Sequence, residues 1–75
     1  MNLYLIWQGK NNGYDTYDSA VVAAEDYREA IHTHPGGVWD SPGTWTSPGN
    51  VEVKLIGKAE EGTESGVICA SFNAG

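Results

Sequence analysis

The sequence predicts a small α+β domain, in which a four-stranded, mainly antiparallel sheet carries one short helix and a long loop. Three observations support this prediction. Four short segments are rich in aliphatic, β-branched and aromatic residues, and one stretch has apolar residues at helical spacing. Residues 35–50 hold all three prolines and two of the three tryptophans. With 75 residues, the chain is expected to form a single domain over 1–75.

Two strands are predicted before the helix. Residues 2–8 are rich in Leu, Ile, Tyr and Trp and stop at Gly9, which is typical of a short strand. The Lys-Asn-Asn-Gly sequence that follows favours a turn, because Asn and Gly tolerate positive φ. Residues 19–24 predict the second strand. Their run of Ala and Val lacks alternation, which indicates an interior strand covered on both faces.

The helix is predicted to begin at Glu25 and to run for about nine residues before Pro35 ends it. Acidic residues at its start are favoured by the helix dipole. One side of the helix carries a stripe of residues at helical spacing. The stripe consists of Tyr27, Ala30, Ile31 and His34.

Two strands are predicted after the loop, which gives the order ββαββ. Val51, Val53 and Leu55 alternate with charged residues, the pattern of a half-buried strand. Residues 66–73 predict a fourth strand with apolar side chains on both faces. To the face away from the helix, strand four presents one of two sets of side chains. These are either Val67 and Cys69 or Ile68, Ala70 and Phe72.

One face of the sheet is left over, because one short helix cannot cover both faces. If Leu3, Leu5 and Trp7 face the helix, then Tyr4 and Ile6 face the other side. We expect the uncovered face to mediate self-association into a homo-oligomer. Alternatively, the loop of residues 35–50 folds back over part of the sheet.

The composition limits the possible partners. Ten acidic and four basic residues give a net charge of −6, which disfavours nucleic acid as a partner. The carboxylates either keep the protein soluble or mimic nucleic acid towards a basic protein. No run approaches the ~20 apolar residues of a membrane span. A single cysteine and an N-terminus without a signal-peptide pattern favour the reducing cytoplasm.

Candidate chemistry is weak in this sequence. His32 and His34, with Asp40 and Cys69, have the residue types of a zinc site, but residues two apart on a helix face different directions. His34 is therefore assigned to the apolar stripe or the helix cap. Cys69 is expected to be an inert buried thiol. No phosphate loop or nucleophile elbow is present. We expect no enzyme activity, no metal and no cofactor.

Carboxylates and tyrosines repeat just before the second strand, as Tyr14-Asp15 and Tyr17-Asp18. Two nearby carboxylates can perform acid–base chemistry or bind a hard cation. The alternative is that the Asp side chains cap a turn and the tyrosines pack against the core. Aromatic side chains also dominate binding hot spots and stack on nucleobases.

Several strings of the sequence resemble those of short accessory proteins of tailed bacteriophages. They are Gly-Tyr-Asp-Thr-Tyr-Asp-Ser-Ala-Val-Val-Ala-Ala-Glu at 13–25, His-Pro at 34–35, the loop tryptophans, Leu-Ile-Gly at 55–57 and the ending Gly-Val-Ile-Cys-Ala-Ser-Phe-Asn-Ala-Gly. The resemblance spans nearly the whole chain and implies a protein that acts in the host bacterial cytoplasm. Small phage proteins of this kind often disarm host immunity, some by sequestering nucleotide signals and others by masking a host protein.

The functional hypothesis is a counter-defence protein that sequesters a small nucleotide-like immune signal without catalysis. The alternative is an inhibitor that binds a host or defence enzyme through the aromatic loop and the acidic surface. The two longest strings of the resemblance place residues 14–18 and Asn73 at sheet ends beside the loop. The residues expected to bind the ligand are Lys10, Tyr14, Asp15, Tyr17, Arg28, His32, Trp39, Trp45 and Asn73.

Overall fold

The computed structural model describes residues 1–10, 13, 15–37 and 44–73. It contains a four-stranded sheet and one short α-helix. The elements are, in chain order, β1 (Asn2–Trp7), β2 (Thr16–Ala24), α1 (Tyr27–Ile31), a 3-10 helix (Pro48–Asn50), β3 (Glu52–Lys58) and β4 (Gly66–Asn73). The sheet order is β3-β1-β2-β4, and all three pairings are antiparallel. The prediction of a small α+β domain with a four-stranded antiparallel sheet is confirmed.

The helix is shorter than predicted. Asp26 is its N-cap, and the Asp26 carboxylate accepts a hydrogen bond of 2.9 Å from the Glu29 N–H. The Glu29 carboxylate accepts a hydrogen bond of 3.0 Å from the Glu25 N–H. Because Asp26 is the N-cap, the helix begins at Tyr27, two residues later than predicted. Tyr27 therefore lies in the first turn with 53% of its surface exposed, and His34 lies beyond the helix. The predicted stripe is wrong at both of its ends.

The core lies between α1 and one face of the sheet, called here the inner face. Because Tyr4 and Ile6 of β1 face the helix, Leu3, Leu5 and Trp7 face the opposite, outer side. In the orientation considered from the sequence, Leu3, Leu5 and Trp7 are the residues that face the helix. The structure has the reverse orientation of this strand. The core residues are Tyr4, Ile6, Ala20, Val22, Ala24, Ala30 and Trp45.

Trp45 is the largest side chain in this core and is only 2% exposed. It comes from the segment of residues 35–50, which therefore folds back onto the sheet at this position. Ala20 and Ala24 on β2 and Ala30 on α1 are small, so they leave space between the helix and the sheet. The indole of Trp45 occupies that space, as close packing of a protein interior requires.

Irregular pairing in the sheet changes which side chains face the core. The register between β2 and β4 shifts twice, at Tyr17/Ser19 and at Val21/Val22. Val67 lies opposite Val22 on the inner face, whereas Cys69 lies opposite Val21 on the outer face. Ile68 is an extra residue between these two pairs, so the alternation of faces changes at this position. Neither set of side chains predicted for one face of the fourth strand is therefore right.

Two predictions about burial are also wrong. Cys69 is exposed rather than buried, because the outer face has no second layer among the residues that the structure describes. In β3, Val53 is half-buried, but Leu55 is 57% exposed on this edge strand. Within the described ranges, no helix has the length and apolar character needed to cross a membrane.

Replacement of Trp45 by alanine is predicted to remove most of the stability of the domain. A Trp→Ala change in a core costs about 3–5 kcal/mol, and a small domain has few kcal/mol to lose. Trp45→Phe is expected to lose less, because it keeps an aromatic ring in the space. Urea unfolding followed by far-UV circular dichroism measures both, with the exposed Tyr27→Ala as control. Equal stability of Trp45→Ala and Tyr27→Ala would contradict the assignment of Trp45 to the core.

Candidate functional site

Several of the predicted ligand-binding residues meet at the end of the sheet where β2 begins and β4 ends. The backbone N–H of Asp15 donates a hydrogen bond of 2.7 Å to the carbonyl of Asn73. The Asn73 side-chain amide donates to the Gly13 carbonyl at 3.3 Å. The structure therefore brings the turn before β2 and the end of β4 together. We call this region the Tyr17 site, which consists of Asp15, Tyr17, His34, Thr44, Phe72 and Asn73.

The centre of the Tyr17 site is a group of three rings. The Tyr17 ring meets the Phe72 ring edge-to-face, with centroids 4.7 Å apart, and meets the His34 ring at 6.0 Å. Tyr17 packs against the core, but Phe72 keeps 44% of its surface exposed. The helix packs against β1, β2 and β3, and the exposed Ala70 and Phe72 show that the inner face of β4 is open here.

His34 organises the backbone beside these rings. It is 5% exposed, and its Nδ1 accepts a hydrogen bond of 2.9 Å from the Gly36 N–H. Because that N–H can only donate, the proton of the neutral ring belongs on Nε2. Nε2 lies 3.4 Å from the Thr44 hydroxyl oxygen. His34 therefore closes a turn after the helix rather than extending the helical stripe.

The described residues on either side of 38–43 both reach the Tyr17 site. On one side, the Gly37 N–H donates to the His34 carbonyl at 2.8 Å, with Gly37 at a φ of +93° that favours glycine. On the other side, the Thr44 carbonyl accepts a hydrogen bond of 2.8 Å from the Tyr17 N–H. Trp39 itself, like Tyr14, lies outside the described residues, as does the rest of 38–43.

The turn before β2 accounts for the position of Asp15. Asp15 has a φ of +58°, in the left-handed region that Asp tolerates better than most residues. Its side chain is exposed at the rim of the site. Asp18 is the extra residue at the register shift between Tyr17 and Ser19, and it is exposed as well. Both carboxylates therefore lie at the same end of the sheet as Phe72.

The three candidate cationic side chains occupy different places. Lys10 follows β1 and thus lies at the end of the sheet where the Tyr17 site lies. His32 caps the helix, and its Nδ1 is 2.7 Å from the Arg28 carbonyl. Arg28 is one turn earlier, with its guanidinium 6.0 Å from the centre of the Tyr27 ring.

Trp45 does not fit the predicted ligand contact, since a ring that is 2% exposed has no face to offer. Gln8, in contrast, supports the site although the sequence did not single it out. Its side-chain amide donates to the Tyr17 carbonyl at 3.0 Å, and its Oε1 accepts from the Lys10 N–H at 2.8 Å. Phe72 was also missed as a contact. No sequence pattern marks Gln8 as buried, and the register shift hides the orientation of Phe72.

The structure separates the side chains considered for zinc. His34 is on the inner side of the sheet, whereas Cys69 is on the outer face. Asp40 lies outside the described residues. Among the remaining residues, no group of three or more His, Cys, Asp or Glu side chains is arranged to hold a metal ion. The chemistry that the Tyr17 site offers is stacking and hydrogen bonding.

His34→Ala is predicted to destabilise the domain by about 1–3 kcal/mol, because the Gly36 N–H loses its acceptor and Tyr17 loses an edge contact. His34→Asn is the matched variant, since its side-chain oxygen can accept the same hydrogen bond, and we expect it to recover part of the loss. Urea unfolding measures both variants. Identical stabilities for the Ala and Asn variants would contradict the role of the Gly36 hydrogen bond.

No protein-family model matches the chain, and no curated protein or solved structure matches it either.

Proposed function

We propose that this protein is a phage counter-defence protein that binds and sequesters a small nucleotide-like immune signal in the host bacterial cytoplasm, without catalysis. The observation that carries the proposal is the exposed ring of Phe72. Tyr17 holds this ring edge-to-face at 4.7 Å, and Asn73, the next residue of β4, bonds the turn that carries the exposed Asp15. A fixed aromatic ring next to polar groups is a common means of recognising a base and its ribose.

Each side chain of the site has a proposed role. Phe72 stacks on the base, which is worth roughly 1–3 kcal/mol. The exposed carboxylate of Asp15 accepts hydrogen bonds from ribose hydroxyls or from amino groups of the base. Lys10 and His32 approach the phosphate. In this proposal, residues 35–50 form a long loop within a ββαββ unit. The loop presents Trp39 as a second stacking surface for the base.

The local charge limits which nucleotides fit. Among the described residues, three exposed carboxylates, those of Asp15, Asp18 and Glu52, accompany Lys10 at this end of the sheet. Like charges repel, so a chain of phosphates is disfavoured near these groups. A ligand with two or more ribose or base donors and few phosphates is favoured, such as a cyclic nucleotide or an ADP-ribose derivative.

The geometry favours binding over catalysis. His34, the buried titratable ring of the site, uses Nδ1 to accept from the Gly36 backbone and keeps Nε2 near Thr44. A general base needs a free lone pair directed at the reacting group. The carboxylate of Asp15 is exposed, which suits hydrogen bonding to a ligand.

A second candidate function is the inhibition of a host or defence enzyme with a basic surface. Six of the ten acidic residues lie in the segments that follow β2 or connect β3 to β4. These segments begin at the opposite end of the sheet from the Tyr17 site, where β2 and β3 end and β4 begins. Such a concentration of carboxylates can attract a basic protein. The six residues are Glu25, Asp26, Glu29, Glu60, Glu61 and Glu64.

Binding is tested by isothermal titration against a panel of cyclic nucleotides and ADP-ribose derivatives, together with mass spectrometry of the small molecules that heating releases from the purified protein. We expect micromolar or tighter binding to at least one member. Phe72→Ala should weaken it by about 5- to 150-fold. Ile68→Ala is the matched control, because Ile68 is a similarly exposed apolar residue of β4 at the far end of the strand.

Two results would reject the proposal. One is the absence of binding across the panel together with the absence of any released nucleotide. The other is binding that Phe72→Ala and Ile68→Ala reduce equally. A stoichiometric protein partner captured from host lysate, and lost when Glu60, Glu61 and Glu64 are changed to Gln, would instead support the second candidate.

A further inference from the structure

The outer face of the sheet combines exposed apolar side chains with a self-complementary pattern of charge. Residues directly opposite each other in an antiparallel pair lie on the same face, so the register defines two cross-strand rows there. The first row is Glu52, Trp7, Ser19 and Ser71. The second row is Lys54, Leu5, Val21 and Cys69.

These two rows lie on either side of a third row, formed by Val53, Ile6, Ala20 and Ala70, whose side chains face inwards. A two-fold axis along this central row and parallel to the sheet would place the first row of one copy over the second row of another. Every strand then lies over its own counterpart, running in the opposite direction. Twisted sheets pack face to face with their strands aligned in this way to within about 30°.

We propose that the outer face binds a second copy of this chain in this two-fold arrangement. Glu52 of each copy then meets Lys54 of the other, which gives two equivalent ion pairs, as a two-fold interface requires. The charges of Glu52 and Lys54 on one copy therefore complement those of the same residues on the other copy. A partner with a different charge pattern is not needed. This inference is independent of the nucleotide site, because the Tyr17 site lies on the inner side.

The apolar part of the face fits the same arrangement. Trp7 projects from the first row and is 37% exposed. A shallow depression of about 180 Å³ lies across the second row and its neighbours. It is lined by Leu5, Ser19, Ala20, Val21, Cys69, Ala70 and Ser71. The two-fold axis places each Trp7 over Leu5 of the other copy, at the border of this depression, so that the projecting ring meets a recess twice.

The face is formed by only four short strands, so the contact is at the small end of stable interfaces, and we expect a dimer with a dissociation constant on the order of 10 μM. Sedimentation velocity over a concentration series measures it. Trp7→Ala should make the protein monomeric throughout the series. Tyr27→Ala, which removes an exposed aromatic ring from the helix, is the matched control and should leave the dimer unchanged.

Charge reversal tests the register. Glu52→Lys places two lysines on each copy, and Lys54→Glu places two glutamates, so each variant alone should dimerise at least tenfold more weakly than the unchanged protein. An equimolar mixture of the two variants should form a heterodimer, because every lysine then faces a glutamate. The double reversal Glu52→Lys/Lys54→Glu should restore the homodimer.

Circular dichroism of each variant confirms that it is folded, since both positions are exposed. The proposal is overturned if the unchanged protein sediments as a monomer at about 100 μM, well above the expected dissociation constant. It is overturned equally if the folded single variants dimerise like the unchanged protein, or if their mixture forms no heterodimer. Retention of the dimer in Trp7→Ala would also contradict it.

Discussion

The burial of the Trp45 indole between the helix and the sheet is the interaction on which the rest of the structure depends. A five-residue helix has little surface of its own, and three members of the buried cluster, Ala20, Ala24 and Ala30, have small side chains. Trp45, from the segment that follows the helix, supplies the largest side chain of this cluster. A domain of this size has few other large buried groups, so the packing of one side chain decides whether its core is complete.

The position of Trp45 also determines where the candidate site lies. With Trp45 fixed in the core, the adjacent Thr44 accepts a backbone hydrogen bond from Tyr17, while the Gly36 N–H donates to His34. Thr44 and His34 both contact Tyr17, so the described residues on either side of 38–43 lie close to it. Tyr17 in turn supports Phe72 at the open end of β4. On the inner face, the adjacent residues Thr44 and Trp45 belong to the proposed ligand site and to the core, respectively. The outer face is the one proposed to bind a second copy.

Local signals in the sequence predicted the elements well but predicted side-chain direction poorly. The fourth strand has the predicted bounds, whereas the helix ends at Ile31, earlier than the position of Pro35 predicted. The start of the helix was misplaced because Asp26, which lies inside the predicted helix, is its N-cap. The direction of Cys69 and Phe72 depends on register shifts that periodicity cannot detect. For Trp45, composition indicated an unusual loop tryptophan, but only tertiary packing decides between a core and a partner.

The most direct test of this account is the proton environment of the Trp45 indole, measured by nuclear Overhauser effects and assigned by comparison with Trp45→Phe. The account predicts strong contacts from the indole protons to the methyl groups of Ile6 and Ala30, because all three residues belong to one buried cluster. Indole protons of Trp45 that show contacts only to their neighbours in the chain would contradict the account. Trp45 would then not complete the core, and the position of the Tyr17 site would have no structural basis.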